Sequence, residues 1–265
     1  MSNFTPRPGD FCWFELSTTD QAAAKRFYES LFGWASADMP IGPSEMYTIF
    51  RLGGRDVGAA HTLNAGQKAQ AVPPHWLVYV CVEDADAAAS RAAGLGGAVI
   101  PPFDVGESGR MCFVTDPAGA VFAVWKPKQH AGVGVRDEVG SVGWADLQVR
   151  DQETAGEFYS SLFGWKMVGG RDMRPAKAGD YFHIMNGDAM IGGIPPSGQV
   201  DPKAHPAWLI YVEVADCAVA TKKAVSLGGR AYVDTMEIGQ EGRISVIADP
   251  QGAVFALHQS RPTAD

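Results

Sequence analysis

Residues 13 to 34, "WFELSTTDQAAAKRFYESLFGW", return without a gap at residues 144 to 165 as "WADLQVRDQETAGEFYSSLFGW", with 12 identities in 22 positions. The correspondence continues along the chain. "PHWLVYVCVEDADAA" from Pro74 answers "PAWLIYVEVADCAVA" from Pro206, "LGG" ends at Gly97 and at Gly229, and "DPAGAVFAVW" from Asp116 answers "DPQGAVFALH" from Asp249. The offset stays between 131 and 134 residues throughout. A chain repeated in this way folds as two homologous domains, expected at residues 1–127 and 141–265. Between them "KQHAGVGVRDEVG", at 128–140, is polar, contains glycine and has no periodicity, and so reads as a linker.

Each half contains two smaller units of one kind. Phe11 to Leu16 has strand composition, and Asp20 is placed to cap a helix. Ala23, Phe27 and Leu31, with Ala24 and Tyr28, keep a helical spacing of four until Gly33 supplies a left-handed exit. Strands follow near 35–38, 46–52 and 56–62. The second unit repeats the plan with a strand at 76–82, the cap Asp84, an Ala-rich helix at 85–93 and strands near 98–101, 110–115 and 120–125. "DPAG" joins the last two strands as a type I turn, with Pro in its second position and Gly in its fourth. The class is α+β, each domain being a pair of βαβββ units. The aromatic residues Phe27, Tyr28, Phe32, Phe158, Tyr159 and Phe163 are expected to be helix-to-sheet core.

A strand followed by "D…A..FY..LFGW" and a late "DP.G..FA" hairpin resembles the vicinal oxygen chelate superfamily, which includes glyoxalase I, bleomycin-resistance proteins and extradiol dioxygenases. The resemblance covers residues 9 to 126 and again 140 to 259. It implies curved sheets forming an open barrel around a cavity. It also implies a divalent metal held by His, Glu or Gln from the first and last strands of each unit, with open positions for substrate oxygens. Counted from the motifs, two of those positions fall on Trp13 and Ala123, and in the second half on Trp144 and Ala256. The others fall on Ala59 or Ala60 with Trp76 or Leu77, and on Gly192 or Gly193 with Trp208 or Leu209. None of these side chains binds a metal. The expected cofactor is therefore none, the alternative being one divalent metal ion in a divergent site near His61, His75 or His205.

Strand alternation identifies what shares a face with the former ligand positions. Glu15 follows Trp13 by two, and Asp146 follows Trp144 by two; Trp125 follows Ala123, and His258 follows Ala256, by the same step. Arg110 and Arg243, each after a Gly at the start of a strand, could add a cation. Asp146 and His258 are thus candidate acid-base residues. Trp13, Glu15, Trp76, Arg110, Trp125, Trp144, Trp208 and Arg243 are candidate ligand-binding residues around an aromatic cavity.

The formal charge of −8 disfavours nucleic acid and anionic membrane as partners, and no apolar run reaches the roughly 18 residues of a membrane span. Four cysteines with no CxxC spacing read as buried free thiols in a reducing, cytoplasmic setting. The expected function is metal-free binding of a small apolar or aromatic molecule. The rivals are a glyoxalase-type lyase or dioxygenase, an acid-base enzyme using Asp146 and His258, and an interaction protein with filled barrels. A pseudo-symmetric monomer suffices, and a homodimer is left open.

Overall fold

A computed structural model of the chain describes residues 4–43, 45–170 and 173–261. The first half holds β1 (Phe11–Thr18), β2 (Ala35–Pro40), β3 (Met46–Leu52), β4 (Arg55–Thr62), β5 (His75–Cys81), β6 (Ala98–Val99), β7 (Phe103–Val105), β8 (Gly109–Thr115) and β9 (Val121–Pro127). Its helices are α1 (Gln21–Phe32), α2 (Ala65–Ala69) and α3 (Ala85–Gly94). The second half holds β10 (Val142–Gln148), β11 (Lys166–Gly169), β12 (Arg174–Pro175), β13 (Phe182–Asn186), β14 (Ala189–Ile194), β15 (Ala207–Glu213), β16 (Arg230–Glu237), β17 (Gly242–Ala248) and β18 (Val254–Ser260). Its helices are α4 (Gln152–Phe163) and α5 (Cys217–Ser226), with a single 3₁₀ turn at Ser197–Gln199.

The capping chemistry sets the helix bounds. Asp20 accepts a hydrogen bond from the Ala23 N–H and Gly33 closes α1 at φ 71°; Asp151 and Gly164 do the same for α4. The short helix α2 and strand β7 carry no strong sequence signal. Asn64 and Gln67 form a reciprocal capping box that starts α2.

Each half builds one nine-stranded sheet, in the order β2-β3-β4-β1-β5-β9-β8-β6 with β7 beside β8, and β12-β11-β13-β14-β10-β15-β18-β17-β16. Among the described residues the sheets remain open and no strand is exchanged between halves. Glu15 therefore shares a sheet with Trp125, and Asp146 with His258.

Helices, unlike strands, reach across. Phe27 and Tyr28 of α1 pack on Phe255 of β18, at ring separations of 6.3 and 5.6 Å, while Phe158 and Tyr159 of α4 pack on Phe122 of β9 at 6.5 and 5.3 Å. The Tyr28 hydroxyl donates to Asp249 Oδ2 at 3.1 Å, and the Tyr159 hydroxyl donates to Asp116 Oδ2 at 3.0 Å. The other oxygen of each aspartate accepts three backbone N–H groups of its own turn, from residues 118–120 and 251–253, at 2.8 to 2.9 Å. The "FY" phrase of one half is thus bonded to the "DP.G" phrase of the other, in both directions. Trp34 Nε1 donating to Gly140 O at 2.7 Å, and Trp165 Nε1 to Gly9 O at 2.8 Å, add a second pair of ties.

Residues 128–140 are bound to both halves, with Gly140 N donating to Glu213 O at 2.8 Å and Arg136 to Gly143 O at 3.0 Å on the side of the second. Val133 N donates to Cys12 O at 2.8 Å, Gly134 N to Asp56 O at 2.8 Å, and Arg55 pairs with Glu138. All four cysteines are buried and free. Among the described residues no helix is long and apolar enough to cross a membrane.

Candidate functional site

On β1 the side chains of Trp13, Glu15 and Ser17 point to the face of the sheet opposite α1. Register with β5 sets Trp13 against Tyr79 and Glu15 against Leu77, and register with β4 sets Glu15 against Ala59 and Ser17 against His61. Of the positions where the resemblance expects metal ligands, those on this face are Trp13, Ala59, Leu77 and Ala123. Glu15, only 8% exposed, accepts from the Tyr47 hydroxyl at 2.6 Å and the Tyr79 hydroxyl at 3.0 Å, and His61 Nε2 lies 3.3 Å from it. Trp13 Nε1 donates to the Tyr47 oxygen at 2.8 Å, so one tyrosine links the indole to the carboxylate.

Burial raises the Glu15 pKa, but bonds from His61, Tyr47 and Tyr79 outweigh it and hold the carboxyl below its ordinary value. Burial likewise lowers His61, and Glu15 more than reverses that. Each group thus favours the charged form of the other, and His61 Nε2 also lies 2.9 Å from the Ser17 hydroxyl. The stabilisation from the pair is lost as pH falls through the depressed Glu15 pKa and as pH rises through the elevated His61 pKa. In an NMR titration the His61 ring resonances are expected to titrate above the ordinary histidine value, and Glu15→Gln to bring their midpoint down. An unmoved midpoint in Glu15→Gln would show that the two groups are uncoupled.

The second half repeats the cluster with different parts. Asp146, 5% exposed, accepts from Trp144 Nε1 at 2.8 Å, from the Tyr211 hydroxyl at 2.9 Å and from the Tyr181 hydroxyl through a very short bond. Burial raises its pKa, and these three donors offset that only in part. The opposing strand position is Gly193, where the first half has Ala59. A Cβ at Gly193 would overlap the Tyr181 hydroxyl. Aspartate is one methylene shorter than glutamate, so its tyrosine must come closer to the strand, and glycine opens that approach. The histidine also comes from elsewhere: His183, on β13, has its ring 4.9 Å from Tyr181 and 6.3 Å from Trp144, and its Nδ1 is buried without a partner. Trp144, Tyr181 and His183 all keep partial exposure.

Several expected site residues lie elsewhere. Trp76 and Trp208 alternate onto the helix side, where their indole N–H groups donate to Tyr28 and Tyr159 at 3.0 and 3.1 Å, so they are core and not cavity wall. Arg110 faces α3 and forms a two-pronged bond to Asp86 at 2.7 Å, and Arg243 pairs with Glu237 at the sheet edge; neither adds a cation to the carboxylates. The acid-base pairing of Asp146 with His258 is not formed. His258 Nδ1 bonds Glu213 at 2.7 Å and its Nε2 bonds Glu241 O at 3.1 Å, while Asp146 is engaged by the aromatic donors. Trp125 does share the Glu15 face but gives its N–H to His130 O at 2.9 Å.

His75 bonds locally to Pro73 O, and His205 is exposed. Among the described residues no three His, Cys, Asp or Glu side chains are grouped to hold a metal ion. The residues at the family's metal positions do not fit that cofactor. The tyrosines Tyr47 and Tyr181, with His130 and His183, were not singled out by sequence. Tyr79 and Tyr211 recur at matching places in the repeat, whereas Tyr47 and Tyr181 follow loops that differ in length and carry no shared motif.

The family model described as "Glyoxalase/Bleomycin resistance protein/Dioxygenase superfamily" matches residues 11–124 and 141–257. A Mycobacterium tuberculosis protein named "Putative glyoxylase CFP32" is 35% identical over 260 residues, covering 97% of each chain. The anthracycline biosynthesis protein DnrV of Streptomyces peucetius is 33% identical over 278 residues, covering 98% of this chain and 96% of its own. Among solved structures, the Mn(II)-bound glyoxalase of Novosphingobium aromaticivorans superposes with a TM-score of 0.66 at 13% identity, covering 96% of this chain and 82% of that one. With both halves matched and two relatives aligned along nearly their full lengths, the chain belongs to the glyoxalase/bleomycin resistance protein/dioxygenase superfamily, as a tandem two-domain member.

Proposed function

We propose that this protein binds a small planar aromatic molecule on the helix-free face of its second half, without a metal. The observation that supports this reading is the aromatic cluster on the face where the family resemblance places a metal. Trp144, Gly193, Leu209 and Ala256 stand where the resemblance expects ligands, and the partly exposed Trp144, Tyr181 and His183 surround the buried Asp146. Flat indole and phenol rings offer stacking surface at small entropic cost, and the Tyr181 hydroxyl and His183 ring supply a polar edge that would orient a hydroxyl or carbonyl group. A relative named for anthracycline biosynthesis supports a polycyclic aromatic ligand class.

Titration with 1,8-dihydroxyanthraquinone, followed by tryptophan fluorescence in the presence of EDTA, tests the proposal. Saturable quenching is expected, with affinity falling about tenfold in Trp144→Ala, equivalent to roughly 1.4 kcal/mol of lost stacking. Binding that disappears with EDTA and returns with a stoichiometric divalent metal would overturn the metal-free reading.

A further inference from the structure

The first half meets its own Trp-lined face with a side chain from the segment that joins the halves. The ring of His130 stands edge-on to Trp13, with centroids 4.4 Å apart and planes at 84°, and 6.1 Å from Trp125 at 73°. The segment is pinned around it. His130 N donates to Ser108 O at 3.0 Å, Trp125 Nε1 donates to His130 O at 2.9 Å, and Val133 N donates to Cys12 O at 2.8 Å. Gly132 lies so close to β1 that a Cβ there would collide with the Cys12 carbonyl, and its φ of 115° excludes most other residues. Trp13 and Trp125 are consequently 5% and 6% exposed, whereas Trp144 at the matching position of the second half remains partly exposed.

The chemistry of the ring is legible. His130 Nδ1 accepts the Gly132 N–H at 3.0 Å, so in the neutral imidazole the proton sits on Nε2. Burial, opposed by the charge of Asp56, lowers the pKa of this histidine and keeps the ring neutral. Nε2 is nevertheless buried with no oxygen or nitrogen partner. A polar atom left in that state needs an explanation. The contacts of the ring are those of a bound heteroaromatic: perpendicular indole faces, and one directional bond from a backbone N–H.

We propose that the Trp13–Trp125 face of the first half is a binding site for a small planar N-heteroaromatic ring, occupied by the chain's own His130, and that external ligand is thereby confined to the second half. The second clause rests on the function proposed above. At the same offset of 133, the position that answers His130 is Thr263, which lies outside the described residues and carries no ring.

The test is His130→Gly, which removes the ring from a loop position where glycine is sterically free, with circular dichroism confirming the fold. Free imidazole is expected to quench the tryptophan fluorescence of the variant saturably, with a dissociation constant on the order of millimolar for a five-atom ring, and to leave the wild type unchanged. In dialysis with 1,8-dihydroxyanthraquinone the wild type and the variant are each expected to take up one equivalent, because a five-membered ring vacates too little space for a three-ring quinone, whereas the variant is expected to bind one imidazole in addition. Two equivalents in the wild type, or a variant blind to imidazole, would overturn the proposal. No uptake of the quinone by the wild type, with imidazole still acting on the variant, would sink the proposed function and leave the His130 site standing.

Discussion

Asp116→Ala is expected to lower the unfolding free energy by about 3 kcal/mol in urea titrations, and Asp249→Ala by a similar amount, although neither residue touches the proposed ligand site. Asp116 collects three backbone N–H groups from its own turn and the hydroxyl of Tyr159 from the other half. Truncation strands the buried Ala120 N–H and removes the acceptor of a fully buried tyrosine, whereas the more exposed N–H groups of Ala118 and Gly119 recover water. Asp116→Asn keeps an acceptor for the turn and is expected to cost only about 1 kcal/mol. A double-mutant cycle with Tyr159→Phe separates the cross-half bond from the turn; a coupling indistinguishable from zero would show that the two motifs are only neighbours.

Gly193→Ala is expected to be the most damaging single methyl group in the second site, with a loss of about 2 kcal/mol. The new Cβ would occupy the place of the Tyr181 hydroxyl, pushing the phenol away from Asp146 and leaving a buried carboxylate short of a donor. The first half shows the remedy, because Glu15 opposite Ala59 still receives the Tyr47 hydroxyl at 2.6 Å. Asp146→Glu combined with Gly193→Ala is therefore expected to recover more than half of the loss. If the double variant is as unstable as the sum of its parts, the exchange of methylene between carboxylate and strand is not what distinguishes the two halves.

Most of the fold was legible because the repeat and its punctuation are local. Asp20, Gly33 and the "DP.G" turns act within a few residues of themselves, and the structure keeps them where the sequence placed them. The sites were legible only in part. Period-two alternation put Trp13, Glu15, Trp144 and Asp146 on the helix-free face, but a single step of register moves a side chain to the other face, which is how Trp76 and Trp208 came to be counted as cavity wall. The arginines failed for another reason: a cation is claimed by whichever carboxylate is nearest in space, and Asp86 lies on a helix that strand counting cannot place. Two of the partners, Tyr47 on β3 and Tyr181 just before β13, follow loops of unequal length, so no spacing announces them. His130 was hidden by its surroundings, since a Gly-containing polar stretch reads as a tether whatever ring it carries.

The crossed tyrosine-aspartate bonds also set the timetable of biosynthesis. Tyr28 and Asp249 are separated by 221 residues, so at 5–20 residues per second the tyrosine emerges from the ribosome on the order of 10–40 s before its acceptor. Throughout that interval the aromatic face of α1 has no Phe255 to rest on. Trp34, Phe50 and Trp76 of the nascent first half can already hold Tyr28, but Phe27 and Phe32 must wait without Phe255, and a chain stalled or cleaved between the repeats would present them to any other nascent copy carrying the complementary "DP.G" surface.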